Sequence, residues 1–338
     1  MKNFFLIILI GVFVLAGVIA FSPYRGMLIN FSIQKKTDSP FSIYVPEEGE
    51  SISILLDSLK ASEKIHFSKW VSLMARIRGY DSARFGHYKI NSSHGAMQFL
   101  RKLSLGYEDP IRFRVAGYKN RDKYLQEISN FFPWSIDSLQ KHLGNDSSWT
   151  HLIPNTYEIY WTTPPKGIAN RINKEYKIFW GNHRQAKADD LGLSADQIMV
   201  LASISQAETK VLEEVSRVAA LYISRLRIGK RLESDPTAVY AFHELNPSEG
   251  LVRRVSRKMT RIKHSYNTYY ISGLPPSPLA SVEPEIIDAV LESIPKGEIY
   301  MCADPNRIGY HNFTSSFRQH LINSRRYHKS LNQRGIRQ

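Results

Sequence analysis

Residues Phe4–Phe21 read FFLIILIGVFVLAGVIAF, an unbroken apolar run preceded by Lys2. As a helix rising 1.5 Å per residue, the run is about 27 Å long, enough to cross the hydrocarbon core of a bilayer. It therefore predicts a single membrane anchor. A cleaved signal peptide is the competing reading, because Gly17 and Ala20 are small residues near the end of the run. Against it, the run is long for a signal core and no A-x-A site follows. With no cysteine near residue 20, a lipid-modified anchor is excluded. Lys2 lies before the run and Arg25, Lys35 and Lys36 after it, so charge encodes the orientation only weakly.

The anchor changes what the charge of the chain can mean. Lys and Arg number 45 against 31 Asp and Glu, a net +14 over 338 residues. Such a surplus suits a polyanion: nucleic acid, anionic lipid or a carboxylate-rich polymer. If the body is exported, chromosomal DNA is out of reach and envelope polymers become the better partners. No nucleic-acid-binding motif occurs. The lone Cys302 excludes an intramolecular disulfide and any multi-cysteine metal site, and it reads as a small core residue.

Ser22 to Pro40 reads as a linker, followed by a small unit over 41–110. In it Ile52, Leu55, Leu56 and Leu59 recur at helical spacing. A second helix is expected near Phe67 to Ile77, a strand at Phe85 to Ile90, and a helix at Met97 to Leu105 closed by Gly106. The alternating Ile111 to Tyr118 opens a larger unit over 111–338. There the pattern predicts helices near Asp122 to Asn130 and Asp137 to Leu143, a strand at Thr156 to Trp161, and a long polar helix from Gly167 to Ala188. The class is α+β, with helices dominating after residue 165.

One segment carries the marks of chemistry. Ser194 and Gln197 form a capping box that opens a helix, and Ile198, Leu201 and Ile204 mark its buried stripe. Glu208 projects from that same stripe. Burying a carboxyl raises its pKa and keeps it protonated, as a general acid requires. The pattern equally fits a structural glutamate paired with Arg225, or one lying just past the helix end. In the next helix Glu213 and Glu214 occupy the first turn and read as solvated. Asp235 before Pro236 reads first as a helix cap. Ser265 to Pro278, SYNTYYISGLPPSP, interleaves aromatics with Asn267 and Thr268, as carbohydrate sites do and as turn-rich loops also do. His311 stands between two aromatics in GYHNF and fits a satisfied core residue as well as a ligand.

Taken in order, LIPNTY (Leu152–Tyr157), LASISQAET (Leu201–Thr209), VAALYISRL, LESDPTAVY, SYNTYYISGLPPSP and GYHNF resemble the endolytic murein transglycosylases, the MltG-like or YceG-like family. The resemblance runs from about Pro46 to the chain end. That family's catalytic segment typically reads S-I-V-E-K-E-T, whereas this chain has Gln206 at the first glutamate, so only Glu208 can be the catalytic acid carried over. Glu233 likewise stands where glutamine is common. The resemblance implies a LysM-like fold for the small unit and a membrane-anchored lyase with no metal and no cofactor. Such an enzyme cuts the link between N-acetylmuramic acid and N-acetylglucosamine and leaves 1,6-anhydromuramyl ends. Within such an enzyme Tyr266, Asn267, Thr268 and Tyr269 are the expected sugar contacts, Asp235 and Thr237 are expected to shape the site, and His311 is a further substrate-binding candidate. Partners would be nascent peptidoglycan strands, the membrane and glycan synthases, but no nucleic acid. The N-terminus would be cytoplasmic and the body on the outer side of the cell (inner) membrane. A non-catalytic wall-binding or synthase-scaffolding protein, with Glu208 merely structural, is the alternative.

Overall fold

The computed structural model describes residues 39–65, 68–115, 117–252 and 254–333. The expected anchor at Phe4–Phe21 lies outside them. Among the described residues, no helix is long and apolar enough to cross a membrane. The fold is mixed α+β, and every sheet among the described residues has two strands.

The chain forms two units. The first ends at Arg112 and takes in Glu158–Thr163; the second comprises Phe113–Tyr157 and everything from Pro164 on. The sequence placed that boundary near residue 110 and missed the return of Glu158–Thr163 to the small unit. Contacts distant in sequence decide that return: the Thr162 hydroxyl donates to Glu108, and Trp161 packs edge-on against Tyr44.

In the first unit, β1 (Phe41–Val45) and β4 (Gly86–Ile90) pair antiparallel, with Ile43 opposite Tyr88. Between them lie the short pair β2 (Glu50–Ser51) and β3 (Ser82–Ala83), with α1 (Ile52–Ala61) and α2 (Ser68–Arg78). A third helix, α3 (Ala96–Leu105), follows and stops where Gly106 turns left-handed at φ 76°. Ile43 and Val45 point inward while Ser42 and Tyr44 point out, the period-2 pattern of a strand with one buried face. Leu56, Phe99, Leu100 and Leu103 fill the core beneath.

In chain order the remaining elements are β5 (Pro110–Val115), α4 (Arg121–Phe131), α5 (Ile136–Leu143), α6 (Asp146–Thr150) and β6 (Asn155–Tyr160). They continue with α7 (Pro165–Leu191), α8 (Ala195–Glu208), α9 (Leu212–Arg227), α10 (Asp235–Leu245), α11 (Arg257–Thr260) and α12 (Pro284–Leu291). The antiparallel pair β7 (Tyr300–Ala303) and β8 (His311–Thr314) and the helix α13 (Phe317–Gln333) close the fold. The long polar helix expected at 167–188 is two segments, because Gly181 adopts φ 44° and ψ −175° and interrupts α7.

Helix α8 is the centre of the second unit. The sequence suggests one apolar stripe, yet every residue from Ile198 to Ser205 is buried. The reason is that α9, α10 and α12 pack around it. A helix covered on several sides needs apolar residues all round. Its start is the expected capping box, with Ser194 accepting from the Gln197 backbone and Gln197 accepting from the Ser194 backbone.

Candidate active site

Glu208 is the last residue of α8, so the helix delivers its carboxyl from the packed core to the surface of a cleft. Tyr222 of α9 and Ser234 both donate to its Oε1, each at 2.6 Å. Two donations to one oxygen leave the acid proton to Oε2. Burial pushes the carboxyl pKa up, as does the nearby charge of Asp235. The two hydroxyls and His311 pull it down, and the net shift is upward. Arg225 does not pair with Glu208, contrary to the structural alternative. Its guanidinium instead donates to the carbonyls of Ile299 and Leu232 and reaches Glu233 at 3.4 Å.

The expected N-cap at Asp235 is also corrected. Asp235 is the first residue of α10 and Ser234 holds the cap position, but the Ser234 hydroxyl turns away from the helix to Glu208. Asp235 is exposed and accepts from the Tyr269 hydroxyl at 2.6 Å. Residue Glu233, just before it, has φ 50°, a left-handed backbone that a glutamate rarely adopts. Its amide is held by the Thr268 carbonyl at 3.2 Å.

Beneath these groups lies a hydroxyl network. Thr237 donates its one hydroxyl proton to the Ser234 carbonyl at 2.6 Å, so in its 2.8 Å contact with Thr268 it must accept. Thr268 in turn accepts from the Ser234 amide at 3.0 Å. The expectation that Asn267 and Thr268 touch sugar is thereby corrected: both are 0% exposed. The Asn267 amide caps the carbonyls of Met259, Thr260 and Ile262. Thr237 is equally buried and fixes Ser234 rather than lining the cleft. Tyr266 turns inward to hydrogen-bond Ser277, with its ring 4.6 Å from that of Tyr240. Of the aromatic segment, Tyr269 is the residue that reaches the cleft.

Two cavities meet at Glu208 and Asp235. The larger, about 1010 Å³, is lined among others by Lys119, Lys123, Tyr240, His243 and Leu251. The smaller, about 490 Å³, is bounded by Tyr269, Cys302, His311 and the α13 residues His320 and Tyr327. Cys302, expected in the core, is a half-buried wall residue here. Among the described residues, no three His, Cys, Asp or Glu side chains converge as a metal site needs.

Two features escaped sequence reasoning. Glu214, read as solvated, is 6% exposed and accepts from both the backbone amide of His311 (2.7 Å) and its Nδ1 (2.8 Å). Gln206, the departure from the family pattern, uses both ends of its amide. It donates to the Ser281 carbonyl and accepts from the Glu283 amide, each at 3.1 Å. A carboxylate could do only the second. The place of Gln206, two residues before Glu208 on a buried helix, was the one available signal.

The model of the YceG-like family matches residues 43–326. The endolytic murein transglycosylase of Bacillus subtilis (strain 168) is 21% identical over 336 residues, covering 89% of each chain. The protein of that name from Streptococcus pneumoniae (strain ATCC BAA-255 / R6) is 23% identical over 298 residues, 76% of this chain and 53% of its own. The chain thus spans about half the length of that relative. The crystal structure of a YceG-like protein from Listeria monocytogenes superposes with a TM-score of 0.52 at 18% identity, covering 84% of this chain and 98% of that one. The shared feature is the fold.

Proposed function

The chain belongs to the YceG-like family, and from that premise we propose a membrane-anchored endolytic transglycosylase acting on nascent peptidoglycan. The observation that carries this reading is the desolvated acid Glu208, standing where two cavities meet. A cleft that continues on both sides of the acid accommodates the middle of a strand, whereas a blind pocket would take only its end. The β-α-α-β order of β1, α1, α2 and β4 supports a LysM-like small unit. The matched relatives named endolytic murein transglycosylase support the reaction class.

In this reading Glu208 enters the reaction protonated and gives its proton to the oxygen that links N-acetylmuramic acid to N-acetylglucosamine. The bond from the anomeric carbon to that oxygen breaks. The muramyl 6-hydroxyl closes on the anomeric carbon and passes its own proton to a base in the same cleft, giving a 1,6-anhydromuramyl end. No second carboxylate is needed as nucleophile, because the substrate supplies it. Asp235 shares both cavities with Glu208, which favours one rival: a two-carboxylate hydrolase of the retaining kind.

The anchor and linker support the choice of nascent strands. A stretch of 19 residues, Ser22 to Pro40, can reach at most ~65 Å. A body so tethered on the outer face works beside the synthases, where new strands still hang from lipid. The test is digestion of purified glycan strands with the full-length protein and mass analysis of early fragments. Long fragments ending in anhydromuramyl residues, lighter by one water than hydrolysis products, are expected. Reducing muramyl ends would establish the hydrolase, and early release of disaccharides alone would rule out internal cutting.

A further inference from the structure

Buried Glu214 and half-buried His311 form a carboxylate–imidazole pair beside the acid. Glu214 lies in the first turn of α9, where the helix dipole favours its negative charge. Its two oxygens hold His311 twice, through the backbone amide and through Nδ1. The ring therefore cannot swing, and its Nδ1 carries the proton that Glu214 accepts. In the neutral ring the lone pair is then on Nε2. His311 lines the smaller cavity, the one Glu208 also lines. The two segments are tied together as well. Thr209, next to Glu208, donates its hydroxyl to the carbonyl of Gly309 at 3.1 Å, two residues before His311.

We infer that His311, held by Glu214, is the base that removes the proton from the muramyl 6-hydroxyl, while Glu208 serves as the acid alone. The inference rests on the transglycosylase reading above. The step balances without a co-reactant. Glu208 gives its proton to the departing oxygen and becomes a carboxylate. The 6-hydroxyl oxygen bonds to the anomeric carbon and passes its proton to His311 Nε2. The imidazolium so formed is stabilised by Glu214, as in other carboxylate-oriented imidazole bases. Exchange of protons with water then restores both groups.

Dividing the labour has a geometric consequence. The 6-hydroxyl belongs to the sugar whose anomeric carbon is attacked, so the muramyl unit must sit in the smaller cavity. The departing strand then runs through the larger one, past Lys119 and Tyr240.

The experiment compares wild type, His311→Ala, Glu214→Gln and Glu208→Gln in the full chain. Steady-state rates are taken across pH, with and without added imidazole. The titratable or charged groups sharing the cavity with His311 are Glu208 of α8, Tyr222 and Arg225 of α9, Glu233 and Asp235 at the start of α10, Tyr269, Cys302 of β7, and His320, Tyr327 and His328 of α13. Glu214 faces it from α9, and Arg217 of the same helix lies over the neighbouring Phe313 ring at 4.4 Å. Removing a general base costs about 10²- to 10⁴-fold. His311→Ala is expected to lower kcat by at least ~10²-fold, to lose the acid-side fall in kcat/KM, and to regain at least ~10-fold with imidazole. Imidazole rescue also establishes that the variant is folded. Glu214→Gln should lower kcat with little change in KM. An acid limb that persists in His311→Ala, or a folded His311→Ala that imidazole does not rescue, overturns the inference. The parent reading fails separately, if wild type makes no anhydromuramyl ends or Glu208→Gln keeps its rate.

Discussion

The Tyr222 hydroxyl donates to Glu208 at 2.6 Å from a ring that is itself 1% exposed, so the acid is held by a side chain with no other freedom. That hydrogen bond favours the ionised carboxylate and opposes the burial that favours the protonated one. Tyr222→Phe removes the opposition. The alkaline limb of kcat/KM should therefore move to higher pH in the variant, read from profiles measured side by side. A limb that moves to lower pH would contradict the assignment of Glu208 as the titrating acid.

Glu208→Gln should abolish at least ~10²-fold of activity, since the amide can neither donate nor recover the proton. It should also change stability with a definite sign. Because the folded carboxyl pKa is raised, folding favours the protonated form. That stability is fully present below the unfolded value of about 4.3 and is lost as pH rises through the folded value. The variant has no such loss. Its Tm advantage over wild type should grow from about pH 4 upward and then level off, measurable by thermal melts over a pH series.

Gln206→Glu restores the residue common in related sequences, yet here it should be harmful. The new carboxylate would face the Ser281 carbonyl, which now accepts from the Gln206 amide. Facing an acceptor with an acceptor leaves both unsatisfied, a cost of about 1–3 kcal/mol. Denaturant titration should show the loss, and it should shrink at acid pH, where the carboxyl can donate again.

Asn267→Ala and Tyr269→Phe separate support from contact. The first removes a buried amide that donates to the carbonyls of Met259, Thr260 and Ile262, of which Met259 keeps a second donor in the Ile262 amide, and should cost about 1–3 kcal/mol of stability. The second removes one partly exposed hydrogen bond to Asp235, so stability should barely change while KM rises. If the two variants instead behave alike in melts and kinetics, Tyr269 is a scaffold residue too.

Local signals were legible wherever a residue's role depends on its neighbours in sequence. The capping box at Ser194, the left-handed stop at Gly106 and the alternation along β5 all appear where the pattern puts them. Glu208 was legible for the same reason, as a carboxylate on a helical stripe of apolar residues. Gly181 was not, because glycine inside a polar helix reads as tolerated until the chain is seen to turn there.

The sequence by itself therefore determined the α+β order of elements and the place of Glu208 at the end of a buried helix, because each follows from periodicity or adjacency. Tertiary structure alone decided which polar side chains face the cleft. Asn267 and Tyr269 are two residues apart, yet one is buried and the other lines the cavity. Glu214 looked like any first-turn carboxylate until β8, 97 residues on, laid His311 against it. A buried polar group must find a partner, and which partner is near depends on how distant segments pack rather than on the residues beside it.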